Sequence, residues 1–229
     1  MRIKAICKML TFVTAMTFLL SYPGERNILV EDTYKSHTFS GLKNIHGVGD
    51  YGRNTMYYYI DPSAIGMEQE ITASMNDWVD ATDVITPIYF KRTYEKPKSV
   101  IDIYVDEHDT TLKDRHCFGI TMFFEDSTTI TDGGDGRPAE NWSRNEIWLK
   151  PRSYIAKQAE TMGWTALDSN TLKGIVAHEI RHCLGLAHPT NLQDYNLIMA
   201  TYDKRVDAYG VPITSCTPSD IRHINYLYK

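Results

Sequence analysis

No stretch of the 229-residue sequence reaches the roughly 18 consecutive apolar residues that a membrane-spanning helix needs. A surplus of positive charge is also missing. Lys and Arg number 24 against 29 Asp and Glu, for a net charge of −5 and a sequence pI near 5.9. Without basic runs to neutralise phosphates, nucleic-acid binding is a poor fit. Cysteine is scarce, at four residues, so a disulfide-stapled miniature scaffold is excluded. There is no internal repeat or low-complexity tract. What remains is an ordinary globular composition, 42% hydrophobic and 23% charged, in a chain long enough to bury a sizeable core. The 15 tyrosines suit a fold that contains β-sheet.

The first residues read as an address. Arg2, Lys4 and Lys8 precede the uncharged run 9–20, and Ser21-Tyr22-Pro23-Gly24 breaks it. A basic start, a short apolar core and a turn are the pattern of a secretory signal peptide. No clear small-residue cleavage site follows, so an uncleaved anchor is the alternative for residues 1–22. Cleavage predicts a mature chain starting near residue 21–27, in a secreted or extracytoplasmic setting. Residues 23–50 are polar and gain Gly41, Gly47 and Gly49 toward their end, which predicts a linker or short pro-segment.

Regular patterning begins near Tyr51. Thr55–Ile60 is β-branched and aromatic, ends at Asp61-Pro62, and predicts a strand. Met67, Ile71, Met75 and Trp78 recur at helical spacing and predict an amphipathic helix ending near Asp80. Further strands are predicted at 88–90, 100–105, 120–124 and 146–149, with a Gly-rich loop at 131–141. Thr171–Leu184 reads as a helix capped by Asp168, Ser169 or Asn170. A last helix starts at Thr217-Pro218-Ser219-Asp220, where Thr217 suits the N-cap, Pro218 the first helical position and Asp220 the positive helix end. The order points to an α+β domain over residues 51–229.

The chemistry lies in residues 178–188, which read H-E-x-x-H-x-x-G-x-x-H. Residues four apart share a helix face, so His178 and His182 can address one metal ion. Glu179, rotated about 100° from His178, can act on a water rather than on the metal. Gly185 can take positive φ, stop the helix and let the chain turn so that His188 arrives as a third ligand. Three protein ligands leave a coordination position open, as catalytic zinc sites do. With this composition the pattern arises by chance about 3 times in 100,000.

The segment resembles the metzincin zinc metallopeptidases at every specified position of their extended motif. Ile198-Met199-Ala200 is similar to their Met-turn, with Met199 as its methionine; core filling is the plain alternative for a thioether. The strand–helix opening and the tail 219–228 look like the ends of matrixin-type catalytic domains. The resemblance implies a twisted mixed sheet with two long helices, and a small irregular C-terminal subdomain carrying the Met-turn and final helix. It implies one catalytic Zn2+ held by His178, His182 and His188, with Glu179 as general base in peptide-bond hydrolysis. The partner is then a peptide or protein substrate, the protein a monomer, and the membrane involved only if the N-terminal segment stays uncleaved. Arg181 departs from the matrixin pattern, which has glycine there. Pro189 is serralysin-like, Tyr202 lies three residues rather than two after Met199, and there is no upstream cysteine switch.

Other candidates carry two readings each. Asp132, Asp135 and Glu140 offer the oxygen ligands that Ca2+ takes, without EF-hand spacing; a solvated turn is the alternative. His108 and His116 are second-zinc candidates or loop histidines, and His223 is a surface or packing residue. Cys183 and Cys216 could pair in an oxidising compartment with Cys117 free, or all three could be thiols. Two functional rivals also stand beside the peptidase: an inactive zinc-holding binding protein, and a membrane-anchored interaction protein.

Overall fold

Alternation in Thr55–Ile60 (β1) puts Met56, Tyr58 and Ile60 on a buried face, while Tyr57 points outward. Ile101–Val105 (β3) is buried along its whole length, as a central strand requires. Tyr89–Arg92 (β2), Gly119–Glu125 (β4), Thr128–Thr129 (β5) and Arg144–Leu149 (β6) complete a six-stranded sheet in the order β2-β1-β3-β6-β4-β5. β2, β1, β3 and β6 run parallel; β4 is antiparallel to β6, and β5 to β4. These strands come from a computed structural model that describes residues 37–45, 55–82, 88–108, 110–113, 117–131, 136–161, 169–189, 199 and 213–228. The predicted signal segment 1–22 lies outside them.

Two 15-residue helices cover one face of the sheet. Glu68–Thr82 (α1) buries Ile71, Met75 and Trp78 at the spacing expected from the sequence. Ser169–Cys183 (α3) buries Leu172, Ile175, Val176 and Ile180 against them. Each such side chain contributes about 1.5–3 kcal/mol on leaving water. Arg152–Thr161 (α2) was not visible in the patterning, because among its described side chains Ile155 alone is buried. Pro218–Leu227 (α4) opens with a complete capping box: the Asp220 amide donates to the Thr217 hydroxyl, and the Thr217 amide donates to the Asp220 carboxylate. The described residues therefore form an α+β fold with a mixed sheet and four helices.

Arg181 has a use that the motif alone does not suggest. Its side chain leaves α3 on the side away from the histidines and is 1% exposed. The guanidinium lies 4.8 Å from the Trp78 ring centroid, donates to the Ala177 carbonyl at 2.6 Å, and pairs with buried Asp220 at 3.9 Å. One buried charge thus ties α3 to both α1 and α4.

Cys183 and Cys216 do not pair: both are thiols, so the Cys183–Cys216 bridge considered above is corrected. Cys183 turns toward the Thr121 hydroxyl of β4. Cys216 sits beside Arg181, and burial pushes its thiol up to about 12. Helix geometry fixed only that Cys183 faces away from the metal; the packing on each side separates the two sulfurs.

Residues 37–45, inside the stretch read as a linker or short pro-segment, pack against the domain. Thr38 bridges Leu186, and Asn44 bridges Trp142. Phe39 joins Phe123, Trp142 and Ala187 in a second small core. The His37 ring packs at a tilt against His223 of α4, with centroids 4.4 Å apart. Burial first, and then the His37 ring, push His223 down to about 4, so the neutral ring donates from Nδ1 to the Ser219 carbonyl.

Candidate metal centre

Helix α3 carries His178 and His182 one turn apart, so both lie on one face of it. The helix then stops by a Schellman arrangement. The Leu186 amide donates to the Arg181 carbonyl at 3.0 Å, and the Gly185 amide to the His182 carbonyl at 2.9 Å. Gly185 sits at φ +102°, where a side chain is strained, and a Cβ there would lie 2.8 Å from both Leu42 O and Leu227 Cδ1. The Trp142 indole N–H takes up the Cys183 carbonyl. With its last carbonyls satisfied, the helix ends cleanly, and the chain reverses to bring His188 back.

The three imidazoles meet. One nitrogen from each of His178, His182 and His188 lies within 4.8 Å of the others, and the Nε2 atoms of His178 and His188 are 3.0 Å apart. The His182 Nδ1–H donates to the Leu186 carbonyl at 2.7 Å, which fixes the tautomer and leaves Nε2 for a metal. Loss of solvent around this ring, and then the neighbouring His188, push His182 down to about 3 and keep it neutral, the form that binds metal. The ring also packs 5.6 Å from Phe39. This triad can hold a metal ion.

Glu179 does not join the triad. Its side chain is 5% exposed and lies beneath β4, where the Thr121 hydroxyl donates to Oε2 at 2.9 Å. Met199 is buried in the main core at 2% exposure; its neighbours in sequence lie outside the described residues, as do Tyr202, Asp132, Asp135 and His116. Glu140 and His108 are exposed and join no group of three potential metal ligands among the described residues. Spacing within the motif could not reveal Thr121, Gly119, Phe39 or Trp142, because their link to the helix exists only after the sheet and the 37–45 segment have closed on it.

The turn gives a direct test. Gly185→Ala is expected to destabilise the protein by about 2–4 kcal/mol, through left-handed backbone strain and overpacking against Leu42 and Leu227. Urea unfolding reads this as a lower midpoint with an unchanged slope. A midpoint equal to wild type would contradict the role given to this glycine.

Compared with models of known protein families and with curated proteins, the chain matches none.

Proposed function

We propose that this protein is a zinc-dependent endopeptidase of the metzincin type, similar to matrixin catalytic domains, acting in a secreted or extracytoplasmic setting. The observation that carries the reading is the convergence of His178, His182 and His188, with Glu179, next to His178 in the chain, buried and held separately by Thr121. An all-imidazole donor set suits zinc, and three ligands leave room for reactants. When bound, zinc supplies Lewis acidity that eases deprotonation of water and polarises a carbonyl oxygen.

The chain's own residues do the rest. Glu179 accepts a proton from the attacking water and returns it to the leaving amine, so one carboxylate serves as base and then as acid. The hydrogen bond from Thr121 keeps that carboxylate from wandering between rotamers. β4 is the expected substrate-binding strand. One edge of it pairs with β6; on the other, β5 pairs with Phe124 and Glu125 and residues 130–131 bond to Phe123, so among the described residues no strand pairs with Gly119–Met122 there. A substrate main chain can add along Gly119–Met122 by strand addition, in line with the centre.

The test is cleavage of a peptide library by the purified protein. Hydrolysis blocked by a chelator and restored by zinc is expected. Stoichiometric zinc without turnover would favour a binding protein instead, and recovery of intact Met1 in the membrane fraction would favour the anchored alternative.

A further inference from the structure

The geometry points to Thr121 of β4 as the positioning residue for the Glu179 carboxylate, with Gly119 as the bare wall against which that carboxylate rests. The inference rests on Glu179 being the base proposed above.

Thr121 is 3% exposed, and its backbone is registered against Ile147 in β6, so its Cβ is anchored in the sheet. Its hydroxyl stands 2.9 Å from Glu179 Oε2 and 3.0 Å from the Glu179 carbonyl oxygen. The Cys183 thiol lies against the same hydroxyl. A hydroxyl has one proton to give, and of the two Glu179 oxygens within reach the carboxylate is the stronger acceptor. The other side of the carboxylate is closed by absence. A Cβ at Gly119 would sit 3.0 Å from Glu179 Cγ, 3.1 Å from Oε1 and 3.1 Å from Leu149 Cδ2. Any side chain there shifts Glu179 by a few tenths of an ångström.

Both walls belong to the strand whose open edge is the candidate track for substrate. The same seven-residue strand would therefore set the substrate main chain and the base relative to each other, without relying on the helix that carries Glu179. A glutamate has three side-chain torsions, and fixing them before substrate arrives removes that entropy from the reaction step.

Thr121→Val keeps the shape and removes the hydroxyl; Thr121→Ser keeps the hydroxyl. Valine is expected to lower kcat about 10- to 100-fold, the usual range for partners that orient a site residue, with KM and zinc content unchanged. Serine should recover most of kcat, and Gly119→Ala should lower kcat while the Thr121 hydroxyl is intact. Crystal structures of the metal-free variants give a readout that does not need turnover: the Glu179 carboxylate is expected to leave its wild-type rotamer in Thr121→Val and to keep it in Thr121→Ser. Wild-type kcat in the valine variant, equal losses for valine and serine, or an unmoved carboxylate would overturn the assignment. If the wild-type protein hydrolyses nothing, the peptidase reading falls, and the positioning of Glu179 still stands or falls on those metal-free structures.

Discussion

Glu179→Ala should remove about 100- to 10,000-fold of the proposed peptide-hydrolysing activity, the span that a positioned general base supplies, while the protein still binds one zinc per chain. The two halves of this result have separate structural causes. Activity falls because the group assigned to take the proton from water is gone, and among the described residues no carboxylate belongs to the converging group that could stand in for it. Metal is retained because Glu179 bonds to Thr121 on β4 and is not one of the three converging groups. Folding should survive as well: after truncation the Thr121 hydroxyl can still donate to the carbonyl oxygen of residue 179, at 3.0 Å. Metal analysis and kinetics on the same sample decide the matter. Zinc loss comparable to that of a histidine variant would put Glu179 among the ligands, and near-wild-type turnover would end its role as base.

His188→Ala should weaken zinc binding by more than about 100-fold, beyond the loss typical of residues that only orient a ligand. His188 is the most exposed of the three, so its removal opens no cavity and leaves the Gly185 turn intact. The variant should therefore melt like metal-free wild type but fail to gain stability from added zinc, since ligand binding stabilises only as far as affinity allows. Competition against a chromophoric chelator measures the affinity. An unchanged constant would mean that the turn brings His188 near the other rings without engaging it.

Much of the fold was legible because it obeys simple periods. β1 follows a period of two, the buried stripe of α1 follows the helical repeat, and the Thr217 box announces α4 before any contact is known. The histidine triad was legible for the same reason, since i and i+4 on a helix leave little choice of geometry. What escaped has no period. Residues 37–45 contribute Phe39 and Leu42 singly, and the bridges of Thr38 to Leu186 and of Asn44 to Trp142 join residues far apart in the chain. Arg181 read as a departure from a family pattern, because its partners Trp78 and Asp220 belong to two other helices. The cysteine pairing failed on the same point: sequence distance and helix angle do not say which neighbour fills the space between two sulfurs.

The Gly185 turn also bears on the order of events as the protein is made. Leu42 presses on one side of it and Leu227 on the other, and the Lys43 ammonium donates to the Leu227 carbonyl at 2.8 Å. His178 and His182 can align as soon as α3 forms, but the loop bearing His188 is clamped only once the chain has been made through Leu227. Synthesis proceeds at about 5–20 residues per second, so an emerging chain spends a few seconds with two histidines in place and the third unclamped. On the proposed reading, stable metal acquisition is then one of the last steps of biogenesis, and a chain that stops short of α4 should be unable to keep a metal ion.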